Sequence, residues 1–284
     1  VRIDLKVIKV MVRVYKWFVP VQNIEAVHGS LVDLLRRETD YLHEAACMRR
    51  MAANFAEDDH ILFPEVVDQV TTKDVLTMTF MEGIKITRLD EIRHRGVNLH
   101  KLGERLVRSF YTQVFVHRFF HADPHPGNFL VQPVDGTDDA KLVVLDFGAI
   151  SEVDENTVFG MVDVLRGFFE QNDELVLRGI EDIGFVAEGG DRALLEQTVK
   201  TYFQKLLKLE SYSPAVLMKS SSKELEALAD PEVERRELRS LMRSVHYPDG
   251  WFYVERASVM MFWLAGQIAP DLNQFEVGFP YVLP

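Results

Sequence analysis

The eight residues His121-Ala122-Asp123-Pro124-His125-Pro126-Gly127-Asn128 hold two prolines and a glycine. Proline fixes φ and removes a backbone donor, so neither a helix nor a central strand runs through such a stretch. It must be a stiff loop, and the chain must turn there. Before it, Leu102, Leu106, Phe110 and Val114 recur at steps of four and predict a core helix starting at Leu99 and running into Arg118-Phe119-Phe120. After it, Phe129–Gln132 and Leu142–Leu145 are short apolar runs separated by the polar turn Asp135-Gly136-Thr137-Asp138-Asp139, which predicts two strands. The second strand ends at Asp146-Phe147-Gly148. If the two strands pair, Asp123, Asn128 and Asp146 meet at one end.

Two carboxylates and an amide oxygen are hard ligands that suit Mg2+ or Mn2+. The spacing His-x-Asp-x-x-x-x-Asn, followed across two strands by Asp-Phe-Gly, is similar to the catalytic loop and metal-binding element of protein kinases. In that chemistry the protein mainly positions groups and neutralises charge. Asp146 would hold the metal that bridges the nucleotide phosphates, Asn128 would complete a second metal site, and Asp123 would take or orient the proton of the attacking hydroxyl.

Elsewhere the pattern is mostly helical. Residues 1–19 read as one amphipathic helix closed by Pro20, with Lys6, Lys9, Arg13 and Lys16 on a basic face that is either solvated or applied to a membrane surface. Residues 24–55 form the longest helical candidate. Pro64 breaks it, and Val66–Val70 with Val75–Phe80 predict a hairpin. Everything after Asp154 has a helical period, with breaks near Gly189-Gly190, Pro214, Pro231 and Pro248. The expected fold is therefore α+β.

At 284 residues the chain can bury a substantial core. A net charge of −12 disfavours a generic nucleic-acid partner, since phosphate backbones select basic surfaces. The lone Cys47 cannot form a disulfide within the chain and reads as a buried thiol in a reducing compartment. The most apolar stretch, Ala257–Ala269, is too short for the roughly 20 residues of a membrane span.

The catalytic-loop segment, together with Leu145-Asp146-Phe147-Gly148-Ala149, resembles the UbiB family, the aarF-domain atypical kinases associated with coenzyme Q. Glu38-Thr39-Asp40-Tyr41-Leu42-His43-Glu44-Ala45-Ala46 is similar to the family's E-x-D segment and the Glu-Ala-Ala that follows it. Val75–Gly83 is similar to its last small-lobe strand and hinge. The resemblance implies a kinase-like fold with a truncated small lobe over residues 1–82 and a large, mostly helical lobe over 83–284. It implies ATP and Mg2+ or Mn2+ as cofactors. Glu44 would pair with an ATP-anchoring lysine, and Glu38 and Asp40 would be the E-x-D acids. Met78 would fill the gatekeeper position, and the backbone of Thr79 and Met81 would meet adenine.

The implied function is phosphoryl transfer or ATP hydrolysis in support of ubiquinone biosynthesis or homeostasis. Implied partners are a quinone lipid or membrane surface and enzymes of the quinone pathway. The implied location is cytoplasmic, peripheral to or anchored at a membrane. The family's K-x-G-Q motif, its Ala-rich nucleotide loop and its strand lysine have no match here. The chain as it stands is therefore expected to bind ATP weakly or not at all.

Other readings remain open at this stage. His117, His121, Asp123 and His125 suggest a metal hydrolase. A small-molecule phosphotransferase shares the loop pattern. A non-catalytic nucleotide- or lipid-binding scaffold would use the aromatic tail around Trp251, Phe252, Tyr253, Phe262 and Trp263 as a groove.

Overall fold

A computed structural model describes residues 21–37, 40–198 and 240–282. The expected helix over 1–19, Glu38, and the tail around Pro214 and Pro231 lie outside the described residues. In chain order the named elements are α1 (Ala26–Arg37), α2 (Tyr41–Asn54), β1 (Ile61–Leu62), β2 (Ile84–Lys85), α3 (Leu89–His94), α4 (Leu99–Tyr111), β3 (Phe119–His121), β4 (Phe129–Pro133), β5 (Ala140–Val144), β6 (Ile150–Glu152), α5 (Glu155–Glu170), α6 (Asp173–Ile183), α7 (Trp251–Ile268) and α8 (Gln274–Val282). The fold is α+β and kinase-like. It divides into one unit of residues 33–152 with 253–279 and another of residues up to 32, 153–252 and 280 onward.

The single helix expected over 24–55 is two helices: the first ends at Arg37, and Asp40 starts the next. Asp40 is extended at φ −125, and its carboxylate accepts the backbone N–H groups of Leu42 and His43, capping α2. Helix α2 buries Ala45, Cys47, Met48 and Met51. The expected hairpin is also reduced. Only Val66 with Met78 and Thr72 with Val75 pair, because a tight turn at Asp68–Val70 interrupts the first arm before the chain reverses at Lys73-Asp74. Thr71 accounts for this, because its hydroxyl donates to the Val67 carbonyl and accepts the Thr77 N–H in place of ladder bonds.

Helix α4 starts where Asn98 accepts the N–H groups of His100 and Lys101. Leu102, Leu106, Phe110 and Val114 are all buried, as their spacing predicts. Each such burial contributes about 1.5–3 kcal/mol. The helix widens over Thr112–Val116 and is ended by Arg118, whose φ is +52. The next residues therefore form β3 instead of continuing the helix.

Strand β4 pairs antiparallel with β5, from Phe129 opposite Val144 to Pro133 opposite Ala140. Strand β2 adds antiparallel to β4 and β1 adds parallel to β5, giving the order β1-β5-β4-β2. Separately, β3 pairs antiparallel with β6, His121 opposite Ile150. Helix α7 contributes Ala257, Met261, Leu264, Ala265 and Ile268 to the interior. It ends against α4 so closely that a Cβ on Gly103 would lie 2.8 Å from that of Ala269.

In the other unit, α5 and α6 touch through glycines. A Cβ on Gly179 would fall 2.5 Å from the Gly160 carbonyl oxygen, and one on Gly160 would fall 2.6 Å from that of Gly179. Asp154 caps α5 and Asn172 caps α6. Among the described residues no helix is long and apolar enough to cross a membrane.

Candidate active site

Two ladders bracket two loops. Residues 122–128 leave β3 and enter β4, and residues 145–149 leave β5 and enter β6. The loops are tied together by backbone bonds from the Ala122 N–H to the Ala149 carbonyl at 2.7 Å and from the Leu145 N–H to the Asn128 carbonyl at 3.0 Å. Pairing Phe129 with Val144 and His121 with Ile150 thus sets the residues before and after each loop side by side.

Within the first loop, Asn128 donates its side-chain N–H to the Asp123 carbonyl at 3.2 Å. That bond orients the amide and leaves its oxygen as a ligand. The imidazole Nδ1 of His125 accepts the N–H of Gly127 and caps the turn Pro126–Asn128. His121 is fully enclosed. Its N–H bonds to the buried Gln113 side chain at 3.0 Å, its Nδ1 accepts the Asp123 N–H at 3.1 Å, and its Nε2 has no partner. Burial pushes its pKa down to about 4 against the opposing pull of Asp146 and Asp123.

In the second loop, Asp146 is exposed, and its Oδ1 accepts the Gly148 N–H at 2.9 Å, which leaves its other oxygen for a cation. Phe147 is completely buried and packs at a tilt against Phe63, with ring centroids 5.9 Å apart. Its N–H lies 3.4 Å from Oε1 of Glu44 on α2. The position of a Cβ on Gly148 lies 3.5 Å from the Asp146 carboxylate and 3.6 Å from that of Glu44. The Glu44 carboxyl is raised above its usual range, first by burial and then by Asp146. Two carboxylates brought this close, one of them raised by its burial and by the other's charge, form a donor set that fits a cation between them.

Arg256 of α7 completes the arrangement. Its Nη2 sits 2.8 Å from Oδ1 of Asp123. Sequence reasoning missed it. The available signal was its standing as the only arginine or lysine in the apolar run Trp251–Ile268.

The segment 65–81 carries the expected hinge residues. The Thr79 N–H donates to the Glu65 carbonyl at 2.9 Å, and Thr79 Oγ1 accepts the Glu65 N–H. Met78 is 38% exposed and Phe80 88%. The metal-hydrolase reading does not fit the geometry. His121 and His125 spend Nδ1 on their own loop, His117 packs on Phe55, and among the described residues no three His, Cys, Asp or Glu side chains gather as metal ligands.

A helix carrying a buried-edge glutamate, a loop of the form His-x-Asp…Asn and an Asp-Phe-Gly turn, in that order, define a kinase-like protein. A family model described as the ABC1 atypical kinase-like domain matches residues 1–179, and the chain belongs to that family. It is 27% identical over 280 residues to Protein ACTIVITY OF BC1 COMPLEX KINASE 8, chloroplastic, of Arabidopsis thaliana, covering 91% of this chain and 36% of that protein. It is 31% identical over 167 residues to the Probable protein kinase UbiB of Aliivibrio salmonicida, covering 59% and 30%. The chain thus spans about a third of the length of these curated relatives. The Mycobacterium tuberculosis Rv3197 structure, solved as a complex with erythromycin, superposes with a TM-score of 0.63 at 22% identity. It covers 100% of this chain and 69% of its own, a likeness of fold.

Proposed function

We propose that this chain is the core of a phosphotransferase that moves the γ-phosphoryl group of ATP to a hydroxyl acceptor, water included. The observation that carries this reading is the placing of Asp123, Asn128 and Asp146 on two loops tied by backbone hydrogen bonds, with Glu44 of α2 reaching the second loop at the Phe147 N–H. Asn128 and Asp146 would hold Mg2+ or Mn2+, which when bound bridges the nucleotide phosphates and offsets their charge. Asp123 takes the proton of the attacking hydroxyl as the new bond forms. The Thr79 carbonyl and Met81 N–H receive the adenine edge, and Glu44 would pair with the ATP-anchoring lysine that the family resemblance implies and that has no match in this chain. The likeness to the UbiB family supports a role in quinone-lipid metabolism, with the protein at or near a membrane surface beside quinone-pathway enzymes.

The test uses the full-length protein. Asp146→Asn should abolish metal-dependent nucleotide binding, read as loss of the thermal shift that Mg-ATP produces by mass action, about 2.7 kcal/mol at a hundred times Kd. Unchanged Mg-ATP affinity would refute the role of Asp146. Asp123→Asn should lower kcat by at least about a hundredfold with little change in nucleotide affinity. Equal losses in both would make Asp123 a structural residue.

A further inference from the structure

Between His121 and Asn128 the loop carries no lysine or arginine. A phosphoryl group in transfer spreads negative charge over three oxygens, and two carboxylates and an amide supply no positive charge of their own. His125, two residues after Asp123, does not fill that need, because its ring is engaged as the cap of the following turn.

Beside any bound metal ion, a side-chain cation reaches this loop from elsewhere in the chain. Arg256 pairs with Asp123 at 2.8 Å, with the two side chains 27% and 28% exposed. That exposure is informative. A pair sealed in the core would not be reachable by a ligand, and a fully solvated one would hold no fixed geometry. This pair is sheltered yet reachable. The helix that carries the arginine is also anchored, because its neighbour Ala257 and the next turn's Met261 are buried at 0% and 1% exposure. A guanidinium offers five N–H donors in a rigid fork, and the pairing at Nη2 leaves others free to meet an anion. Its charge also reaches His121, where it opposes the effect of the two aspartates.

We propose that Arg256 is the phosphate-facing cation of this site, orienting Asp123 with one N–H and meeting the transferred phosphoryl group with the rest. The inference rests on the phosphoryl-transfer reading above. In the step, the acceptor oxygen bonds to the γ-phosphorus as its proton passes to Asp123. The bond from the γ-phosphorus to the β–γ bridging oxygen breaks, and ADP departs with that electron pair. Arg256 meets the charge that builds on the γ-oxygens.

The experiment compares the full-length protein with its Arg256→Gln and Arg256→Lys variants. The readouts are Mg-ATP turnover, affinity for Mg-ADP, and affinity for Mg-ADP with aluminium fluoride, a mimic of the phosphoryl group in transfer. Arg256→Gln should lose about 10²–10³-fold in kcat, as when an oxyanion donor is removed. It should bind the fluoride complex roughly tenfold or more weakly, with Mg-ADP affinity and Tm unchanged. Arg256→Lys should recover part of the fluoride-complex affinity. Wild-type turnover and fluoride affinity in Arg256→Gln would overturn the proposal and leave the nucleotide reading standing. Equal losses of Mg-ADP affinity, fluoride affinity and Tm would make Arg256 structural and also overturn it. A wild-type protein that binds neither Mg-ADP nor Mg-ATP would overturn the phosphoryl-transfer reading, and this proposal with it.

Discussion

His121 and Glu44 are both perturbed by burial, and their effects on stability run in opposite directions. His121 is neutral in the folded chain with its pKa at about 4, against 6.5 for a free histidine. Between those values the unfolded chain binds more protons, so stability is full above about pH 6.5 and falls as pH drops toward 4. His121→Asn, which keeps a short acceptor for the Asp123 N–H, should flatten the dependence of Tm on pH across that window. A slope that survives the substitution would belong to other groups. Glu44 is raised, so its ionised form costs stability at neutral pH. Glu44→Gln should therefore raise Tm at pH 7 while weakening nucleotide binding, and a lower Tm would show that its bond to the Phe147 N–H outweighs the desolvation. That the loops carrying Asp123, Asn128 and Asp146 lie side by side was legible in the sequence, because prolines and a hairpin restrict where a loop can go. Arg256 was not legible, because its partner is more than a hundred residues away and no spacing rule links a helix residue to a distant loop.

Among the elements, length decided what could be read. Helix α4 has thirteen residues and a four-step apolar row, and the structure keeps both. Strands β1 and β2 have two residues each, too few to show an alternation, and their pairing is set by neighbours already in the sheet. Strand β3 was hidden for another reason. Phe119 and Phe120 extend the apolar run of the preceding helix, and only the left-handed turn at Arg118 separates them. The start of α2 carries a single capping carboxylate, that of Asp40. Asp40→Ala should destabilise the protein by about 1 kcal/mol in denaturant unfolding, and no loss would mean that packing alone starts α2. Gly179→Val meets backbone rather than a flexible side chain, so α5 and α6 must separate. A cost of about 1–3 kcal/mol is expected by the same measurement.

For the whole molecule, the family match and the compact units do not coincide. The match ends at residue 179, yet the unit that carries the site takes in residues 253–279. Leu264, Ala265 and Ile268 are buried in that unit, and Gly103 of α4 is close against Ala269. A protein cut after residue 179 should therefore lose its near-ultraviolet dichroism and cooperative melting, although it retains every motif residue of both loops. Retention of a sharp transition would show that α7 is dispensable to the core. Helical character after Asp154 was legible, but its use as a wall of the site was not, because periodicity shows which face is apolar and not what that face meets. The distance along the chain from Asp123 to Arg256 also bears on synthesis. Ribosomes add roughly 10 residues per second, so about ten seconds or more pass after the loop emerges before its arginine exists. On the role proposed for Arg256, a nascent chain in that interval carries the acids of the site without their counter-charge and stays chemically silent until that arginine has been added.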